Sequence, residues 1–376
     1  MSGNPIHTDR RLNTRSRIYK TLYTSDRPMS KLELAQHLSL SMPTVYQNVA
    51  ELADMGLIRY SGLRPSSGGR PAMNLEIVAQ AKYAIGVTIQ SESISFAVID
   101  LKCQELAFKE VSISDGLFSD NYVNFFAAEL EKFIDESMTD RSRILGVTIL
   151  IPGILCEDGI TIYNSPGLRL KNVSLKPLVE AVPYPVHLDS DANSAGFAEN
   201  VLIGSSDALA YLYLADGVGG TFFTNGVQHR GSNSHSGEFG HMTVEFNGRK
   251  CACGKRGCLE AYCSEHRILS DSGVGLEKFF SLLEEGDEKA LSIWENYLRY
   301  LAAGIHNIRM AFDSKIVLGG TMAFYLPPYL EKLRQYVYDA DPFGSETDYL
   351  SISRIPLHAT ILGGAMYFIK GFLDEN

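Results

Sequence analysis

Glu238-Phe239-Gly240-His241 is followed, ten residues after the histidine, by Cys251-Ala252-Cys253-Gly254-Lys255-Arg256-Gly257-Cys258-Leu259-Glu260. One imidazole and three thiolates make a tetrahedral shell of the kind zinc prefers, and four protein ligands leave no position open for a catalytic water. The spacing therefore predicts one structural zinc per chain, held by His241, Cys251, Cys253 and Cys258 in a knuckle over 241–258. Gly254 and Gly257 give the backbone the freedom such a tight turn needs. Cys263 could replace a ligand, although it falls farther along a helical pattern. Three of the six cysteines crowd into eight residues, too few and too clustered for a disulfide scaffold.

On either side of the knuckle the chain alternates strand and helix patterns. Tyr83 to Ile89 and Ile94 to Leu101 read as a hairpin, 120–136 as a helix and Ile144 to Ile151 as a buried strand. A related order recurs: Ala208 to Leu214 and Thr221 to Thr224 flank Asp216-Gly217-Val218-Gly219-Gly220. Leu291, Trp294, Leu298, Leu301, Ile305 and Ile308 then trace an apolar helical stripe, read as packing, ahead of the strand Ile316-Val317-Leu318. Two similar α/β lobes with a cleft between them are predicted.

Charge sets the N-terminal segment apart. Through Leu75 there are ten Lys plus Arg against five Asp plus Glu, or +5; the remainder has 24 against 39, or −15, and together they give the net −10. A basic head on an acidic body suits a nucleic-acid partner. Within it, Arg15 to Tyr23 reads as a helix. Ser30 and Glu33 have the spacing of a capping box for a second helix carrying Leu34, Ala35 and Leu38. Ser41 caps a third through Met55, with Val45, Val49, Leu52 and Met55 inward and Gly56 as its stop. Ile58 to Tyr60 and Met73 to Ile77 read as two strands of a wing.

The third helix is predicted to expose Ser41, Pro43, Thr44, Tyr46, Gln47 and Asn48 to a major groove, where Gln and Asn can read adenine edges. The wing loop, Arg64-Pro65-Ser66-Ser67-Gly68-Gly69-Arg70-Pro71, would offer Arg70 to a narrow minor groove. A solvated helix face and a plain flexible linker are the alternative readings of these two stretches.

With the winged head, Gly68-Gly69-Arg70-Pro71, Ile151-Pro152-Gly153, Asp189-Ser190-Asp191-Ala192-Asn193, Glu-x-Gly-His and the cysteine knuckle in place, the chain resembles transcriptional regulators of the ROK family, to which sugar kinases also belong. The resemblance covers nearly the whole chain. It implies an actin-like (ribonuclease H-like) two-lobed α/β body at 79–376, behind an all-α/winged helix-turn-helix domain at 1–78. It carries the zinc role to the four ligands above and a sugar-binding role to Gly153, Ser190, Asp191, Glu238, His241 and Glu260. In the family's kinases the aspartate matching Asp191 is the general base.

The kinase role is not expected here. Where the family's kinases carry Asp-x-Gly-Gly-Thr, whose glycines let backbone amides approach phosphates, this chain has Thr88-Ile89-Gln90-Ser91-Glu92. Ser190 stands where an asparagine is usual, and Gly167-Leu168 replaces Asn-Leu; the first change shortens a polar side chain and the second removes one. The expectation is a repressor of carbohydrate-metabolism genes, with a sugar or sugar phosphate as effector. It would bind an operator with inverted half-sites as a homodimer or dimer of dimers; the rival is a sugar kinase carrying a DNA-binding head. With 45% apolar residues, no run approaching the ~20 needed for a span and a polar, basic Met1 to Arg17 stretch, a cytoplasmic protein with no membrane partner is expected.

Overall fold

The computed structural model describes residues 5–63, 73–113, 121–138, 140–204, 207–344, 346–355 and 358–375, with side chains from Asn13 onward. The N-terminal elements are α1 (Pro5–Thr24), β1 (Met29–Ser30), α2 (Lys31–Leu38), α3 (Met42–Asp54), β2 (Ile58–Leu63) and β3 (Met73–Ile77). The capping box at α2 is complete: the Glu33 amide donates to Ser30 Oγ at 3.2 Å, and Glu33 Oε2 accepts from the Ser30 amide at 2.8 Å. Ser41 Oγ accepts from the Thr44 amide at 3.3 Å to start α3. Gly56 follows its end at φ +71°, a conformation that favours glycine. Ile18, Tyr19, Leu22, Leu34, Val45, Val49 and Leu52 fill the space between the helices.

Three details depart from expectation. The first helix begins at Pro5, well before Arg15. Met55 is 47% exposed because it is the residue on which α3 ends, so the apolar face stops at Leu52. The wing has a third strand: β1 pairs with β3, giving the order β1-β3-β2. Two residues are too short a run for any alternation to show.

The first lobe contains β4 (Tyr83–Ile89), β5 (Ser93–Asp100), β6 (Glu105–Ser112), α4 (Tyr122–Ser137), β7 (Ile144–Leu150), β8 (Ile154–Leu155), β9 (Thr161–Ser165), β10 (Leu170–Ser174), α5 (Lys176–Glu180), β11 (Val186–Asp189) and α6 (Asp191–Ile203). The second contains β12 (Leu209–Leu214), β13 (Val218–Thr224), β14 (Val227–Gln228), α7 (Glu260–Cys263), α8 (Glu265–Ser272), α9 (Leu276–Glu284), α10 (Glu288–Phe312), β15 (Lys315–Gly319), α11 (Leu330–Ala340), β16 (Leu350–Ile352) and α12 (Ala359–Glu375).

The sheets run β11-β7-β4-β5-β6 and β14-β13-β12-β15-β16. In each, a three-stranded antiparallel meander is extended past its first strand by two parallel strands. The duplicated order is the actin-like architecture. β5 runs antiparallel to both neighbours yet is fully buried, because α4 covers the face carrying Ile94, Phe96 and Val98 and α12 the face carrying Ala97 and Ile99. In α10, Ala290 and Tyr297 join the apolar stripe, whereas Leu291 is 48% exposed and turns away from it.

The last helix ties the molecule together. α12 crosses back onto the first lobe, where Thr148 Oγ1 donates to the Gly364 carbonyl at 2.7 Å. Its far end meets the head: Tyr19 and Phe372 pack edge to face at 6.4 Å, and Lys20 pairs with Asp374 at 3.5 Å. Ile361, Leu362, Ala365, Met366 and Ile369 therefore share one apolar cluster with Ile18, Tyr19 and Leu22.

Candidate functional site

The carboxyl ends of β7 and β11 meet where the Ile151 amide donates to the Asp189 carbonyl at 3.1 Å. This is the edge at which open α/β sheets gather ligands. Gly153, just beyond β7, has φ +131°, and a Cβ there would lie 2.5 Å from the Asn164 carbonyl oxygen, so the loop closes tightly over β9. After β11, Asp189 Oδ1 accepts from the Ser190 amide at 2.8 Å and from Asn193 Nδ2 at 2.9 Å. Ser190 caps α6, its Oγ accepting from the Asn193 amide at 3.3 Å. The residue expected to touch a ligand thus also holds the helix start.

Asp191 is the first residue of α6. Burial raises its carboxyl above the ordinary range, and the nearby Asp189 charge adds to this, against the lowering effect of backbone amides. The β12–β13 turn reaches the same point, since a Cβ on Gly219 would stand 2.9 Å from Ala192 Cβ. From that turn the Val218 amide donates to Glu260 Oε2 at 3.2 Å.

Glu238 and His241 border a short 3-10 turn packed under the β12–β13 turn. Burial raises the Glu238 carboxyl; His241 and His235 pull it down, while Glu260 and Asp191 push it up. Glu238 therefore lies within electrostatic reach of His241, Glu260 and Asp191. Tyr163 of β9 faces His235 there, with ring centroids 6.1 Å apart. His235 and Asn193 were not singled out from the sequence, though Asn193 sits in the Asp189–Asn193 stretch; no spacing signal marks His235.

The knuckle assembles as expected. His241 Nδ1 lies 3.8 Å from Cys251 Sγ, and Cys253 Sγ lies 3.8 Å from Cys258 Sγ. All four ligand atoms fall within 4.8 Å of one another, a group that can hold a metal ion. The other imidazole nitrogen, Nε2, is 4.0 Å from Glu238 Oε2. Glu260 Oε1 lies 3.3 Å from Cys251 Sγ while its second oxygen holds the Val218 amide. The His and Cys group is thus joined to Glu238 through His241 and to the β12–β13 turn through Glu260. Cys263 is no alternative ligand: it is buried in α7 with its Sγ 3.6 Å from the Tyr297 carbonyl.

On the head, Ser41, Pro43, Tyr46 and Gln47 are exposed and Thr44 is half-buried. Asn48 corrects the expectation. It is only 3% exposed, its Nδ2 donates to the Thr44 carbonyl at 2.8 Å, and it cannot reach a base edge in this conformation. Three residues past Val45 and four before Leu52, it lies on the inward face of α3. The Gly-Gly-Arg-Pro stretch with Arg70 lies outside the described residues. Thr88 and Ile89 end β4, and Gln90–Glu92 form the tight β4–β5 turn, closed by the Gln90 amide donating to the Ser93 carbonyl at 2.9 Å. Among the described residues no helix is long and apolar enough to cross a membrane.

The ROK family pattern matches residues 84–353, and a helix-turn-helix domain pattern matches residues 13–61. The chain belongs to the ROK family. It is 26% identical to the xylose repressor of Bacillus subtilis (strain 168), over 92% of each chain. It is 25% identical to the DNA-binding transcriptional dual regulator NagC of Escherichia coli (strain K12), over 78% of this chain and 77% of NagC. The crystal structure of a ROK family transcriptional regulator homologous to E. coli MLC superposes with TM-score 0.77 and 23% identity, covering 97% and 96% of the two chains. ROK hexokinase from Thermus thermophilus matches the body with TM-score 0.64 and 28% identity, over 78% of this chain and 99% of the hexokinase.

Proposed function

We propose that this ROK protein is a DNA-binding transcriptional repressor of carbohydrate-metabolism genes, released or engaged by a sugar or sugar phosphate bound between its lobes. The observation that carries the reading is the continuous path from cleft to head: Asp191 begins α6, α6 packs on α12, and α12 shares its apolar cluster with α1. A ligand that shifts the lobes shifts α12, and with it the heads. Only differential affinity for the two arrangements can do this, so DNA must alter sugar affinity by the same factor.

In the cleft, Asp191, Glu238 and Glu260 would accept hydrogen bonds from sugar hydroxyls, and His241 Nε2 and Ser190 would complete the ring. Gly153 would let the backbone come close. Carboxylates held in a partly desolvated site reject ligands that leave them unpaired.

The metal we infer is zinc. Two Zn–S bonds of 2.3 Å at the tetrahedral angle span about 3.8 Å, the separation found between Cys253 and Cys258. Bound there, zinc supplies structure, because four protein ligands close its shell. His241 then offers Nδ1 to the metal and Nε2 to the cleft.

Kinase activity is not part of this reading, although Asp191 is retained and the hexokinase likeness is real. Glu92 and the side chains of Gln90 and Ser93 occupy the turn where glycines would cradle phosphates. Ser41, Pro43, Thr44, Tyr46 and Gln47 would face the major groove and Arg70 the minor groove. One head per chain fits a dimer on inverted half-sites, working in the cytoplasm. Calorimetric titration with a panel of free pentoses, hexoses and their phosphates, alongside ATP turnover, tests the assignment. Saturable binding of one sugar without turnover supports it; turnover of that sugar would move the protein to the kinases.

A further inference from the structure

The head carries ten Lys and Arg through Leu75, but most of those described are already engaged within the protein. Lys20 pairs with Asp374 at 3.5 Å, Arg27 with Glu33 at 2.8 Å and Arg59 with Glu76 at 2.5 Å. Arg17 donates to the Leu38 carbonyl at 3.3 Å.

Lys31 is different. Among the described residues no carboxylate pairs with it; instead its Nζ lies 4.3 Å from the centroid of the Tyr46 ring and 5.0 Å from that of Tyr60. These rings belong to α3 and β2, and both are open to solvent, Tyr46 at 54% and Tyr60 at 41% exposure. The ammonium is thus fixed where the start of α2, the exposed face of α3 and the wing come together. Ring faces attract a cation without neutralising it. With three N–H donors and two rings, at least one donor remains free to point outward.

We propose that Lys31 is a DNA-phosphate ligand held in place by Tyr46 and Tyr60. The proposal rests on the DNA-binding reading above. It changes the role of Tyr46 from base reader to positioning residue. A lysine otherwise surrenders rotamer freedom on meeting a phosphate; here the two rings have restricted it in advance. Because a phosphate contact carries no base information, Lys31 contributes equally on any duplex.

The test is fluorescence anisotropy on a labelled 30-bp duplex of random sequence, the affinity being followed between about 50 and 200 mM salt, where phosphate contacts dominate. Lys31→Met is expected to flatten the slope of log affinity against log salt by about 0.9 per head, the value for one phosphate. Lys31→Arg should restore the slope, and Lys31→Gln repeats the loss if the methionine variant misfolds. Replacing both rings, Tyr46→Leu with Tyr60→Leu, should lower affinity, and adding Lys31→Met to that pair should cost less than it does in the native head. A wild-type slope in folded Lys31→Met and Lys31→Gln overturns the proposal while leaving the DNA-binding reading intact. If the native protein bound no duplex at the lowest salt, both would fall together.

Discussion

Gly363 of α12 lies so close to Ser194 of α6 that a Cβ on the glycine would stand 1.9 Å from the serine carbonyl oxygen. The helix that begins with Asp191 and the helix that reaches the head are therefore in backbone contact. Gly363→Ala must push the two apart, and overpacking of this kind costs about 1–3 kcal/mol. We expect a lower melting temperature together with DNA binding that no longer responds to the effector. Thermal melts and anisotropy with and without sugar check this; an unaltered response would separate α12 from the coupling.

Cys258→Ser removes one of the four residues of the proposed zinc site, a group that includes His241 and whose Cys251 sits against Glu260. The bound metal should fall from one per chain, and sugar affinity should fall with it, because His241 and Glu260 lose their support. Elemental analysis and calorimetry on the same sample read both. Native protein that is active and metal-free after careful purification would remove the zinc assignment.

Asp191 gives a pH-dependent expectation. Its carboxyl is raised by burial, so ionising it costs more in the folded protein than in the unfolded chain. An acid with a raised folded value costs stability when ionised, above that value, and costs nothing below the unfolded value near 3.9. Asp191→Asn should therefore be more stable than the native protein at pH 7, converge with it as the pH falls to about 3, and lose sugar affinity. Denaturant melts at the two pH values give the comparison; a variant destabilised at pH 7 would contradict it.

Neighbouring positions on α3 should behave differently. Gln47→Ala is expected to reduce operator affinity by about 1–3 kcal/mol relative to random DNA, as the loss of a base contact does. Asn48→Ala should leave that ratio unchanged and alter stability instead, since the side chain is buried with its Oδ1 unpaired. Competition binding with operator and random duplexes distinguishes the two.

The knuckle, the winged head and the twofold repeat of the α/β pattern were legible because each is written in local spacing: His and Cys intervals, cap residues three apart, apolar periods of two and of 3.6. Asn48, Leu291 and Met55 were misread for one reason. Period alone does not say where a helix face ends or which polar residue on its flank turns inward. β1 was invisible because two residues carry no period, and its strand status comes wholly from pairing with β3. The α6–α12 contact was equally hidden, since glycine packing across about 170 residues of chain leaves no local mark. The same holds for Lys31, whose two rings come from separate elements.

The most direct test of the central claim is anisotropy of the purified protein on duplex DNA from upstream of its own gene, repeated across a panel of sugars and sugar phosphates. The account predicts tight, salt-sensitive binding whose affinity changes with one sugar, and a reciprocal change of that sugar's affinity when the DNA is present. Tight DNA binding indifferent to every sugar, accompanied by ATP-dependent phosphorylation of one of them, would contradict it.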